Sequence, residues 1–110
     1  MKSEIKELTD ALLKFRDERD WEQFHNSKDL AVAISVEANE LLETFLWKQS
    51  EEVDKQKIKE ELADVFAFAF LLAEKNGFDV KEIVLEKIKS NAEKYPIDKA
   101  KGSAKKYNEL

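Results

Sequence analysis

Four carboxylic acids form two pairs with matched spacing, Glu37 with Glu40 and Glu61 with Asp64. Residues three apart in a helix lie about 60° from each other around its axis, so both members of a pair face the same side. Burying several ionised carboxylates together is strongly unfavourable unless cations neutralise them or protons remove the charge. Oxygen-only ligands suit magnesium, calcium or manganese, and phosphate-processing sites commonly hold magnesium in this way. The spacing therefore predicts a metal site with these four acids as ligands.

The positions of the two pairs within their helices support this interpretation. Glu37 falls in the middle of an apolar stripe on its helix, and Glu61 does so on the next helix. An ordinary acid paired with lysine is the alternative for any one pair, because the chain is 39% charged. A di-metal carboxylate oxidase is a further alternative, but it needs Glu-x-x-His on two helices, and the only histidine, His25, lies outside both pairs. Two matched pairs favour magnesium.

The segments that carry these acids are predicted to be helices, because the chain has two glycines, one proline and abundant Leu, Glu, Lys and Ala. The periodicity predicts helices at about residues 4–19, 28–47, 54–75 and 79–95. Ser3 is the expected N-cap of the first helix, Asn76 and Gly77 end the third, and Asp79 and Pro96 bound the fourth. Residues 20–27 should form a loop or short turn. Short connections make neighbouring helices antiparallel, so we expect a single-domain, all-α four-helix bundle.

Charge is unevenly distributed along the chain. The net charge is −5, yet residues 87–106 contain seven lysines and only two acids. This asymmetry predicts a polyanion held near an acidic site. A nucleic-acid surface is not expected, because the whole chain is acidic and no extended strip of basic and aromatic residues is present. Residues 97–110 form a basic tail that is expected to be flexible on its own.

Several classes of protein are excluded or disfavoured by composition. The chain contains no cysteine, which excludes disulfides and thiolate chemistry and is compatible with a reducing compartment. Its first residues carry no apolar segment typical of an export signal. The longest apolar run, 62–73, is interrupted by Asp64 and is far shorter than the roughly 20 residues of a spanning helix. We therefore expect a cytoplasmic protein without a membrane anchor.

The two acid pairs, separated by 20 residues, resemble the metal signature of the MazG-like nucleotide pyrophosphohydrolases. Further residues are similar to the dCTP pyrophosphatase branch of that family: the stretch 16–25 with the sequence Arg-Asp-Glu-Arg-Asp-Trp-Glu-Gln-Phe-His, then Trp47-Lys48, Lys87, Asn91, Tyr95-Pro96 and Lys105-Lys106-Tyr107. The family pattern often begins with two adjacent glutamates, whereas Val36 precedes Glu37 here. This departure leaves the identity of the general base open.

The resemblance implies a magnesium-dependent enzyme, with manganese as a possible substitute, that is a homodimer or homotetramer. It also implies hydrolysis of a deoxynucleoside triphosphate, dCTP or an analogue, to the monophosphate and pyrophosphate. The same four acids, Glu37, Glu40, Glu61 and Asp64, would then be the catalytic residues. A nucleotide-binding or helical interaction module without turnover is the alternative.

The substrate-binding residues that follow from the chemistry and the resemblance together are Trp21, His25, Trp47, Lys87, Asn91, Lys94 and Tyr95. Trp21 and Trp47 could stack on a nucleotide base, and His25 could form a hydrogen bond with the edge of that base. Each of the three could instead have a structural packing role, which is the role we expect for Phe24. Polar groups on an inward edge of the fourth helix would contact triphosphate oxygens, or its lysines could simply extend to solvent. The tail lysines could close over the phosphates from the same or a neighbouring subunit.

Overall fold

The computed structural model describes residues 2–49 and 52–110, which form two compact units, one ending at Phe78 and the other beginning at Asp79. The first unit contains α1 (Glu4–Glu18), a 3₁₀ turn (Glu22–Phe24), α2 (Ser27–Glu43) and α3 (Lys55–Lys75). The second contains α4 (Val80–Lys94), α5 (Ile97–Ala100) and a 3₁₀ turn (Tyr107–Glu109). No strand occurs in the described residues, so the predicted all-α class is confirmed. The single-domain organisation stays a prediction.

Two side-chain contacts show how the helices of the first unit run. The Asn76 side-chain amide donates to the Ser27 hydroxyl at 3.1 Å, which joins the end of α3 to the start of α2 and makes the two helices antiparallel. The guanidinium group of Arg16, a residue that is 8% exposed, lies 3.8 Å from the carboxylate of Glu74. The C-terminal ends of α1 and α3 therefore lie close together. Leu30 is 2% exposed and forms part of the core of this unit. The antiparallel pairing brings the middle of α2 alongside the middle of α3.

The helix boundaries follow from side chains that satisfy the unpaired N–H groups of the first turn. Ser3 accepts from the Lys6 N–H, and Asp79 accepts from the Glu82 N–H, as predicted. Gly77 ends the third helix with a φ of 71°, a left-handed conformation that glycine adopts without steric cost. Asp54 is the N-cap of α3 rather than its first residue.

The second helix ends four residues earlier than predicted, at Glu43 instead of Trp47. The Thr44 hydroxyl donates to the Leu41 carbonyl at 2.7 Å, and a tighter turn with hydrogen bonds three residues apart follows. Such local bonding competes with the regular helix pattern. Trp47 then has a φ of 64°, a left-handed backbone conformation that cannot continue a right-handed helix. The residues after α2 therefore form a turn rather than a helical extension.

The C-terminal tail contains regular structure where the sequence alone suggested flexibility. After Pro96 the chain forms α5 and then the last 3₁₀ turn. The Tyr107 ring lies edge-on to the Tyr95 ring at 6.1 Å, within the second unit. Aromatic pairs of this geometry are favourable, so the contact anchors the tail to the end of α4. None of the described helices combines the length and apolar character needed to cross a bilayer.

Candidate metal centre

Three carboxylates meet across the antiparallel helix pair. Glu37 comes from α2, and Glu61 and Asp64 come from successive turns of α3. One oxygen atom from each of the three lies within 4.8 Å of the others. Glu37 and Glu61 are half-buried, whereas Asp64 is exposed. We call these three residues the acidic centre, and their arrangement follows directly from the register of α2 against α3.

The oxygens of the acidic centre fit a hard divalent cation. One carboxylate oxygen of Glu37 and one of Glu61 are buried and have no hydrogen-bond partner within residues 2–49 and 52–110. Buried polar atoms normally have partners, and an unpartnered carboxylate oxygen is costly. An all-oxygen donor set is the set that magnesium, calcium and manganese prefer. The residues present therefore fit the predicted metal, and a bound cation would supply the missing partner.

Glu40 lies beside the acidic centre but is not one of the three residues whose oxygens come within 4.8 Å. Its carboxyl group is close enough to raise the pKa values of both Glu37 and Glu61. It is half-buried and also borders the groove described below. Its predicted role as a metal ligand stays a prediction.

The surroundings of the acidic centre raise the pKa values of two carboxyl groups. Burial, together with the neighbouring Glu40, Asp64 and Glu61, raises the pKa of Glu37 to about 7. Burial, with Glu40 and Asp64, also raises the pKa of Glu61 above its ordinary value. Each shift has the same meaning: the folded chain resists holding the ionised group without a compensating cation.

We expect the contribution of Glu37 to the stability of the metal-free protein to be lost as the pH rises from about 4.5 to about 7. The pKa of this group is higher in the folded than in the unfolded chain, so its contribution is complete below the unfolded value and is lost through the folded value. The measurement is the melting temperature in EDTA at pH 5 and pH 8, compared between the natural chain and Glu37→Gln.

The variant should show the smaller decrease, and millimolar magnesium at pH 8 should raise the melting temperature of the natural chain more than that of the variant. Glu60→Gln is the matched control, because Glu60 is exposed and adjacent to Glu61 in sequence but is not part of the acidic centre. Equal pH dependence of all three proteins would show that Glu37 is not perturbed.

A polar groove of about 540 Å³ continues from the acidic centre toward the connection between α2 and α3. The residues that line this polar groove are Glu40, Glu43, Thr44, Lys48, Val53, Asp54, Lys57 and Glu61. Lys57 was not among the residues predicted from the sequence, and Lys48 was included only within the resemblance. The signal for Lys57 was its spacing, because a residue four positions before Glu61 lies on the same helix face.

The predicted aromatic residues are placed on the surface of the first unit. Trp47 is 99% exposed in the turn after α2, so it does not pack in the core of this unit. Trp21 is 43% exposed, and its ring lies 5.7 Å from that of Phe15. Phe24, expected to be structural, is 62% exposed. All three could meet a ligand or another chain.

His25 is half-buried beside an aromatic ring. Its ring is half-buried and lies 6.5 Å from the Phe68 ring on α3, one helical turn after Asp64. Burial lowers the pKa of His25, and the positive charges of Arg16 and Lys75 lower it further. The lowered pKa favours the neutral imidazole. Its buried Nδ1 has no hydrogen-bond partner among the described residues.

The remaining predicted residues belong to the second unit. Lys87 and Asn91 lie on one face of α4 beside Ile83, Val84 and Ile88, along a shallow groove. At the end of the same helix, the Lys94 ammonium lies 5.1 Å from the Tyr107 ring, which also contacts Tyr95. The structure thus divides these four residues into two local sets within this unit. Their roles toward substrate stay predictions.

Comparisons with known proteins agree with the geometry. A model of the MazG-like family matches residues 32–110. The chain is 38% identical over 105 residues to dCTP pyrophosphatase 1 of Bos taurus and equally to that of Homo sapiens, covering 88% of this chain and 62% of each relative. It thus spans about three fifths of the length of these relatives. A crystal structure of a pyrophosphatase from Archaeoglobus fulgidus superimposes with a TM-score of 0.82 at 39% identity, covering 87% of this chain and 95% of that one.

Proposed function

We propose, since this chain belongs to the MazG-like family, that it hydrolyses a deoxynucleoside triphosphate to the monophosphate and pyrophosphate. The observation that carries this proposal is the acidic centre, with two buried carboxylate oxygens that have no partner among the residues that the structure describes. An oxygen-only site of this kind suits magnesium, with manganese as a substitute. dCTP or a close analogue is the proposed substrate, because the relatives from Bos taurus and Homo sapiens are dCTP pyrophosphatases.

In this proposal Glu37, Glu61 and Asp64, with Glu40 beside them, would hold the metal. Bound magnesium would orient the triphosphate, offset the charge that develops on the leaving pyrophosphate and lower the pKa of the attacking water. The antiparallel helices hold the carboxylates in place before substrate arrives, because the acids lie on helices rather than on loops. Trp21, His25 and Trp47 are the proposed contacts to the base. Lys87, Asn91, Lys94 and Tyr95 are proposed contacts to the remainder of the nucleotide.

We further propose that the chain works as a homodimer or homotetramer. An apolar groove of about 420 Å³ lies between α1 and α3 and is lined by Leu8, Leu12, Ala63, Phe66, Ala67 and Phe70. Leu8 and Phe66 are each 53% exposed. Contiguous apolar surface of this kind is typical of an interface between chains.

The position of bond cleavage tests the function. With dCTP, magnesium and ¹⁸O-labelled water, we expect the label in the nucleoside monophosphate, because attack at the α-phosphorus adds the water oxygen to that product. Mass spectrometry of the separated products gives the result. Label only in pyrophosphate would place attack at the β-phosphorus, and orthophosphate as first product would contradict this reaction class. A nucleotide-binding module would bind without forming any labelled product.

A further inference from the structure

The polar groove combines two kinds of charge in one continuous space. At one end, Glu40 and Glu61 belong to or border the acidic centre. Toward the connection between α2 and α3, the same groove is lined by two lysines, Lys48 and Lys57. The carboxylates of Glu43 and Asp54 line this end of the groove as well. Two ammonium groups next to a metal-binding region still suit a polyphosphate, since metal and ammonium groups can bind successive phosphates.

We propose that the polar groove binds the pyrophosphate part of the triphosphate, with Lys48 and Lys57 as positioning residues that contact its oxygens. The proposal rests on the proposed function, because it takes the α-phosphate to lie at the acidic centre. Neither lysine was assigned a role by the sequence analysis, which placed the phosphate contacts on the fourth helix and the tail.

The backbone places both lysines to reach one ligand. Lys57 is one helical turn before Glu61 on α3, so the two side chains share a face of that helix. Lys48 lies in the turn that follows the early end of α2. If α2 continued to residue 47, as its sequence suggests, Lys48 would be carried farther along the helix axis. The Thr44 bond that ends the helix therefore helps to bring Lys48 to the groove.

In the part of the chain that the structure describes, neither ammonium group of the groove is paired with a carboxylate. The Asp54 carboxylate accepts the Gln56 N–H at 2.9 Å, and the Glu43 carboxylate accepts from the Asn39 amide at 3.2 Å. Within residues 2–49 and 52–110, the ion pairs closer than 4.0 Å involve neither Lys48 nor Lys57. Because Asp54 already caps the start of α3, lysine side chains rather than the helix terminus would bind phosphate oxygens.

Direct binding of inorganic pyrophosphate tests the proposal without requiring turnover. Isothermal titration calorimetry in magnesium would compare the natural chain with Lys48→Ala and Lys57→Ala. We expect each variant to bind pyrophosphate about fivefold to tenfold more weakly, because an ammonium–phosphate hydrogen bond is charge-assisted but the groove is open to solvent. Lys59→Ala is the matched control, because Lys59 is an exposed lysine on the same helix that does not line the groove.

Inhibition by the two products gives a second, more specific readout. Pyrophosphate should inhibit dCTP hydrolysis less strongly in the Lys48 and Lys57 variants, whereas inhibition by dCMP should be unchanged, since dCMP lacks the two distal phosphates. Lys57→Arg should restore most of the lost pyrophosphate affinity. Unchanged pyrophosphate binding in both alanine variants would overturn the proposal, as would an equal loss of affinity for both products.

The two proposals fail in different ways. If the natural chain binds pyrophosphate through the two lysines but cleaves no triphosphate, the groove assignment stands and the proposed function is wrong. If the chain releases dCMP and pyrophosphate while both lysine variants behave like Lys59→Ala, the function stands and the groove assignment is wrong.

Discussion

Glu37→Gln and Asp64→Asn should each reduce magnesium-dependent turnover at least about 100-fold. Loss of a residue that orients a metal ligand lowers activity by up to about 100-fold, and loss of the ligand itself should lower it at least as much. Both substitutions preserve side-chain volume and remove one negative charge. The charge is needed by the cation, and neither residue belongs to the buried apolar core. The measurement is kcat for dCTP hydrolysis over a range of magnesium concentrations, with circular dichroism to verify that the helices remain.

Glu60→Gln again provides the matched control, because Glu60 lies on the same helix and is exposed outside the acidic centre. Its activity should stay close to that of the natural chain. Without magnesium, Glu37→Gln should unfold at the same or a higher temperature, since removing one charge from crowded carboxylates relieves repulsion. Near-normal activity in either variant of the acidic centre would show that the metal binds elsewhere.

Trp47→Ala should weaken nucleotide binding by about 1–3 kcal/mol, the usual contribution of an aromatic ring stacked on a base. The tryptophan is 99% exposed, so its removal deprives the unit of almost no packing. The melting temperature of the ligand-free chain should therefore change little. The measurement is the dissociation constant for a non-hydrolysable dCTP analogue in magnesium, by titration calorimetry.

Trp47→Phe should recover much of the affinity, because phenylalanine keeps a flat ring at the same place. The phosphate contacts remain in both variants, so pyrophosphate should bind them as it binds the natural chain. An unchanged affinity of Trp47→Ala for the dCTP analogue would remove this residue from the base site. Its left-handed backbone, with φ at 64°, would then be a feature of the turn alone.

Much of the helical architecture could be read from local signals. Ser3 and Asp79 have short polar side chains that cap helices, and both do so here. Gly77 tolerates the left-handed conformation that ends α3. These features depend on residues within one helical turn of each other, which is the range over which propensity and capping operate. The early end of α2 was not predicted, because the sequence does not show whether the Thr44 hydroxyl bonds to the Leu41 carbonyl or to another group.

The sequence by itself determined the all-helical class and the two matched acid pairs, because helical periodicity assigns each residue to a side of its own helix. It did not determine that Glu37, Glu61 and Asp64 approach most closely while Glu40 borders the groove. It also did not place Lys48 and Lys57 in one groove or Tyr107 against Tyr95. These relations depend on how separate segments pack, and packing is set by contacts between residues distant in the chain, which periodicity does not describe.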